Sequence, residues 1–91
     1  MTKTGLVNMR IYNLDGRFNC SGPRIRERRT ALELSQEQLA AKLQLAGLDI
    51  TQKAISRIET GLRVVADFEI SFFADALGVS PLWLLGREDG E

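Results

Sequence analysis

From Ser21 onward the chain is punctuated at short intervals by residues that start helices and residues that stop them, which leaves room for little besides a set of short helices. Ser35-Gln36-Glu37-Gln38 has the Ser-x-x-Gln form of a capping box, in which a hydroxyl and an amide side chain satisfy reciprocal backbone donors. Thr51 caps the next segment, Asp67 opens another, and Ser80-Pro81 sets a cap before a proline at the first helical position. Gly47, Gly61 and Gly78 stand after the apolar stretches as left-handed stops. Between these marks the apolar residues recur at helical spacing. Pro23, Ile25, Arg28, Arg29 and Leu32 mark a first helix of about three turns. Leu39, Ala40, Leu43 and Ala46 form the stripe of a second. Ile55 and Ile58 face inward on a third, from Gln52 to about Thr60; Phe68, Ile70, Phe73, Ala74 and Leu77 do so on a fourth; and Leu82 to Leu85 make a short fifth. The expectation is an all-α, five-helix body without internal repeats.

Residues 1–21 follow another rule. Val7, Met9 and Ile11 alternate with Asn8, Arg10 and Tyr12, and Asp15-Gly16 is a favoured hairpin dipeptide, so strands near 7–13 and 17–20 are one reading. An isolated two-stranded hairpin is marginal in water. Such a hairpin would need to pack on the helices or pair with a second chain, and a disordered leader is the alternative.

Ninety-one residues are expected to make one domain, without space for a second, catalytic one. The composition, 44% hydrophobic and 26% charged, is that of a globular chain rather than a disordered one. One cysteine, Cys20, and no histidine exclude an internal disulfide, a zinc site and Cys-His chemistry together. With no Gly-rich phosphate loop either, an enzyme is not expected, and no motif calls for a cofactor. No apolar run reaches a membrane span and the N-terminus lacks the pattern of a secretory signal, so the expected compartment is the cytoplasm, with no membrane partner. The twelve bases and twelve acids cancel, yet they are unevenly placed. Residues 1–31 hold seven bases against two acids, a net of +5, and residues 64–91 one base against six acids, a net of −5. A basic face turned to a polyanion is one explanation, and helix surfaces that simply alternate in charge are the other.

Four motifs occur in series: Arg24-Ile25-Arg26, Leu34-Ser35-Gln36-Glu37-Gln38-Leu39-Ala40, Ile55-Ser56-Arg57-Ile58-Glu59-x-Gly61, and Ala76-Leu77-Gly78-Val79-Ser80. Together they resemble the phage-repressor helix-turn-helix family of Cro and XRE type over about residues 22–86. On this reading residues 1–21 are an N-terminal extension and 87–91 an acidic tail. The resemblance implies a repressor-like domain whose second helix braces the DNA backbone while the third lies in the major groove.

With Ile55 and Ile58 turned inward, Gln52, Lys53, Ser56 and Arg57 share the outer face of the third helix by i, i+3 and i+4 spacing. Glutamine can pair bidentately with adenine, and arginine or lysine with guanine; a solvated polar face is the competing reading. Gln36 is similar to the family's glutamine that meets a phosphate and orients the first residue of the recognition helix. Ser35 and Thr51 stand at helix N-termini, where free amides and the dipole favour phosphate oxygens, although capping alone would explain Ser35. Arg24, Arg26 and Arg63 are further candidates for the backbone. By the resemblance, Arg29 and Glu59 occupy positions where the family pairs two side chains as a structural ion pair.

One departure stands out. Eleven residues, Gln44 to Ala54, separate Leu43 from Ile55, where the family has about six, so the second helix should lengthen by a turn, cross at Gly47-Leu48-Asp49 and re-enter with Ile50 as a staple. That puts Asp49 near a phosphate in question, which it would repel. Phe72, Trp83 and Leu84 are candidates for a self-complementary patch that makes a homodimer and a palindromic site with half-sites about 34 Å apart, the N-terminal strand being the other contact. The expected function is a sequence-specific, double-stranded-DNA-binding transcriptional regulator, a repressor. The alternative is a protein-interaction module, such as an antitoxin or a bridging coactivator, that turns the same fold to a protein partner.

Overall fold

A computed structural model describes residues 13–88. Five helices follow in order: α1 (Gly22–Ala31), α2 (Gln36–Ala46), α3 (Gln52–Glu59), α4 (Asp67–Leu77) and α5 (Pro81–Leu84). Among the described residues there is no strand. An isolated bridge joins Leu14 and Arg17 across Asp15-Gly16, both of which have positive φ (53° and 82°), the backbone of a type I′ turn. The turn dipeptide thus does form a turn, but no strand continues it over 17–20; the first expected strand, near 7–13, lies almost wholly outside the described residues.

The helix starts obey local chemistry. Ser35 accepts from the Gln38 amide at 3.0 Å while Gln38 Oε1 accepts from the Ser35 amide at 2.8 Å, which completes the capping box. Thr51 and Ser80 accept from Ala54 N and Trp83 N, both at 3.1 Å. At α4 only half a box exists: the Glu69 carboxylate accepts from the Ala66 amide at 2.9 Å, and alanine has nothing to return. The helix ends also share a form. Leu34 N donates to Arg29 O, Leu48 N to Leu43 O, Leu62 N to Arg57 O, Val79 N to Ala74 O and Arg87 N to Leu82 O, so all five close with the six-to-one bond of a Schellman turn. The left-handed residue is glycine in four of them and Glu33, at φ 60°, in the first.

The core lies where the five helices meet. Ile25, Leu39, Leu43, Ile55, Ile58, Phe73, Leu77 and Leu84 are fully buried. The long connection between α2 and α3 joins this core through Leu48 and Ile50, and Gln44 Nε2 holds it by donating to Ile50 O at 2.7 Å. Asp49 between them faces solvent. Three sequence assignments change. Ala46 is exposed because α2 has already turned past the core at its last residue. Phe68 is 61% exposed, since Ile70, Phe73, Ala74 and Leu77 complete the inward stripe without it. Leu84, a candidate for a surface patch, is buried on the inner face of α5.

Candidate nucleic-acid interface

α3 is two turns long and strongly two-faced. Ile55 and Ile58 are fully buried, Gln52, Lys53 and Arg57 are exposed, and Ser56 is half-buried on the edge. Among the described residues the side chains of Lys53 and Arg57 make no intramolecular hydrogen bond, so their donors are unspent. Such an outward array of cations, a hydroxyl and an amide can meet the acceptor-rich edges of bases.

A chain of polar contacts runs along α3 from its last residue to its first. Arg29 Nε and Nη2 donate to the two carboxylate oxygens of Glu59 at 2.7 and 3.0 Å, a fork-on-fork pair, and Arg29 Nη1 donates to Leu34 O at 2.7 Å. Glu59 Oε1 also accepts from Gln36 Nε2 at 3.0 Å, and Gln36 Oε1 accepts from Gln52 Nε2 at 2.7 Å. Four side chains from three helices therefore form one line, from the buried Arg29–Glu59 pair to the exposed Gln52 amide, which keeps its carbonyl and one N–H free. The hydrogen bonds that Arg29 donates to Glu59 raise its pKa above the ordinary value, against burial, which lowers it. Ser35 and Thr51 stand exposed at the starts of α2 and α3; their oxygens accept the capping bonds and their hydroxyl protons remain available.

The arginines of the N-terminal half are mostly spoken for. The Arg24 guanidinium lies over the Trp83 ring, 4.9 Å from its centroid. Arg28 Nε donates to Leu77 O, the last carbonyl of α4, at 2.8 Å. With Arg29 on Glu59, α1 is thus braced to three helices by three arginines, and Arg26 is the exposed one between them. Among the described residues, the arginines of α1 are to that extent internal bracing rather than one free face. Arg63 departs furthest from its sequence assignment to the DNA backbone: Nη1 and Nη2 donate to the two Glu69 oxygens at 3.0 Å each, and Nη1 also reaches Val64 O at 2.9 Å. Its fork is occupied, so Arg63 fixes the loop before α4. This pair raises the Arg63 pKa and holds the Glu69 carboxyl below the usual carboxylate range.

The apolar surface also differs from the patch drawn from sequence. Trp83 is half-buried under Arg24, Phe72 is half-buried against the core, and Leu84 is inside. The large apolar side chains left exposed here are Phe68, Leu82 and Leu85. Leu85 also lines a groove of about 430 Å³ with Phe18, Cys20, Val65, Ile70 and Pro81. The sequence reading placed an apolar patch on this same last helix but on other residues of it, because the phase of a four-residue helix cannot be set by periodicity.

Residues 25–84 match the family model described as helix-turn-helix, of the Cro/C1 type. No curated protein matches the chain. Among the described residues no helix is long and apolar enough to cross a membrane.

Proposed function

This chain belongs to the Cro/C1-type helix-turn-helix family, a DNA-binding regulatory family that is generally non-enzymatic, and from that premise we propose that it is a sequence-specific transcriptional repressor. Gln52, Lys53, Ser56 and Arg57 read base edges in the major groove. The observation that carries this reading is the exposed outer face of α3, whose two cations have no intramolecular hydrogen bond among the described residues, above an inward face that is completely buried. Gln36 presents Gln52 to the groove and, with the hydroxyls of Ser35 and Thr51, lies where phosphate oxygens pass the starts of α2 and α3. Arg26, and Arg24 from its seat on Trp83, supply charge for the backbone. Two such arginines per protomer correspond to a slope of about −2 in log affinity against log salt. The Arg29–Glu59 pair serves structure by fixing the tilt of α3.

Regulators of this kind reach adequate affinity by doubling the site. We place the two-fold contact of a homodimer on the exposed side chains of Phe68, Leu82 and Leu85, in place of Phe72, Trp83 and Leu84; Phe68→Asp should then give monomers in sedimentation equilibrium. The acidic C-terminal half keeps a protein-partner role open as the second reading: six acids face one base over residues 64–91.

The experiment is selection from a random duplex pool at two salt concentrations, with the native chain against a Gln52→Ala, Arg57→Ala double variant. A palindromic motif is expected for the native chain, with about 1–3 kcal/mol of discrimination lost per contact removed. Both replaced residues are exposed, so stability should stay within about 0.5 kcal/mol. A folded native chain that selects no motif would overturn the DNA-reading role in favour of the protein-partner one.

A further inference from the structure

The C-terminal end of α3 is held by a segment that lies outside the family-matched residues. A helix end leaves its last four carbonyls without helical partners. In α3 all four are satisfied. Ser56 O accepts from the Thr60 amide at 3.1 Å and its hydroxyl at 2.9 Å, and Arg57 O accepts from Leu62 N at 2.8 Å. Ile58 O accepts from Gly61 N at 3.1 Å and from Asn19 Nδ2 at 2.9 Å, and Glu59 O accepts from Arg17 Nη2 at 3.1 Å. The last two carbonyls of the helix therefore accept from side chains about forty residues upstream.

Asn19 uses its whole amide for this. Nδ2 also donates to Arg63 O at 2.8 Å, and Oδ1 accepts from Gly22 N at 2.8 Å, so one side chain ties the start of α1, the end of α3 and the loop that follows. Phe18 N adds a bond to Gly61 O at 2.8 Å. The approach is close: a Cβ on Gly22 would lie 2.2 Å from Ile58 O, and one on Gly61 would lie 2.7 Å from Arg17 Cζ. Arg17 also brings positive charge to the negative end of the helix dipole. An eight-residue helix does not persist on its own, so its direction is set by what holds its ends. The N-terminal end must stay open to enter a groove, which leaves the other end to carry the restraint.

We propose that Arg17 and Asn19 are positioning residues for DNA recognition: they fix the C-terminal end of α3 and thereby the angle at which its other end meets base edges, without touching DNA. This rests on the DNA-reading role proposed above.

The test uses the full chain as the native protein and as Asn19→Ala, Arg17→Ala and Arg17→Lys, at a temperature where circular dichroism shows every variant folded. Affinity is measured for the selected duplex and for a random duplex of equal length across salt concentrations, and amide hydrogen exchange is followed in the free protein. Asn19→Ala should weaken binding to the selected duplex about tenfold while leaving random-duplex affinity and the salt slope unchanged, since about 1.4 kcal/mol of coupling is a factor of ten. The amides of Thr60, Gly61 and Leu62 should exchange at least about tenfold faster, with those of Leu43 and Phe73 at native rates. Arg17→Lys, which keeps a donor and the charge, should recover most of what Arg17→Ala loses. If Asn19→Ala does not fold, the two Arg17 variants carry the comparison. Unchanged exchange at the end of α3, or faster exchange with full operator affinity, would overturn the proposal. So would equal losses on both duplexes with a salt slope lowered by about one in Arg17→Ala, which would make Arg17 a phosphate ligand. A native chain that selects no duplex removes the DNA-reading role itself, and the exchange rates in free protein still report whether the end of α3 is held.

Discussion

The two ends of α3 are built on opposite terms. At its start Gln52 and Lys53 are exposed, and a single side-chain contact, from Gln36, steadies Gln52. At its end Ile58 and Glu59 are buried, the Glu59 carboxylate accepts from Arg29 and Gln36, and the last two carbonyls accept from Asn19 and Arg17. Groups that must find partners on another molecule cannot be spent inside their own, and an element that presents them has to be held somewhere else. The helix divides the two tasks along its length, with the line of Arg29, Glu59, Gln36 and Gln52 connecting them.

The sharpest way to break this contrast is at the held end. Glu59→Ala leaves Arg29, whose side chain is 11% exposed, without its carboxylate and takes an acceptor from Gln36. The expected loss is about 3 kcal/mol, read as a lower midpoint in urea unfolding, because an unpaired buried charge costs more than the pair contributed. Replacement of the exposed Lys53 by Ala should barely move the same midpoint.

A smaller effect is expected one loop further on. Arg63 holds the Glu69 carboxyl below its ordinary range, so the folded pKa lies below the unfolded one. The stabilisation is then fully present above the unfolded value, about 4.3, and is lost as pH falls through the folded value. Thermal unfolding followed from pH 7 to pH 2 should show a midpoint that drops on the acid side. Glu69→Gln should lower the midpoint at neutral pH by the equivalent of about 1 kcal/mol, after screening of the partly exposed Arg63 side chain, and flatten the acid limb.

The smallest change is a gain. Glu33 occupies the left-handed position that closes α1, where a β-carbon is unfavourable. Glu33→Gly should stabilise the chain by roughly 0.5–1 kcal/mol, visible as a rise of a few degrees in the thermal midpoint. Unchanged DNA selection in this variant would show that the end of α1 takes no part in reading.

What could be read in the sequence was what neighbouring residues decide. The caps at Ser35, Thr51 and Ser80 and the stops at Gly47, Gly61 and Gly78 depend on chemistry within four residues, and the helices fall between them. Glu33 escaped because nothing in a glutamate announces a left-handed turn. Leu84 was misplaced because a four-residue helix does not fix its own phase, only packing does, and Phe68 because it stands in the first turn of α4, outside the stripe that Ile70, Phe73, Ala74 and Leu77 complete. Arg17 and Asn19 were invisible for a deeper reason: their partners are main-chain carbonyls, which every residue has, and 42 residues separate Arg17 from Glu59. Arg63 looked like a free cation until its loop brought it to Glu69.

The division of labour along α3 is tested most directly by titrating isotope-labelled protein with its selected duplex and following backbone and side-chain amide resonances. The largest shifts are expected at Gln36 and from Thr51 to Arg57, with Asn19 and Gly61 to Arg63 nearly unmoved. Shifts centred on Asn19, Arg63 and the end of α3, with the outer face of Gln52 to Arg57 silent, would contradict it.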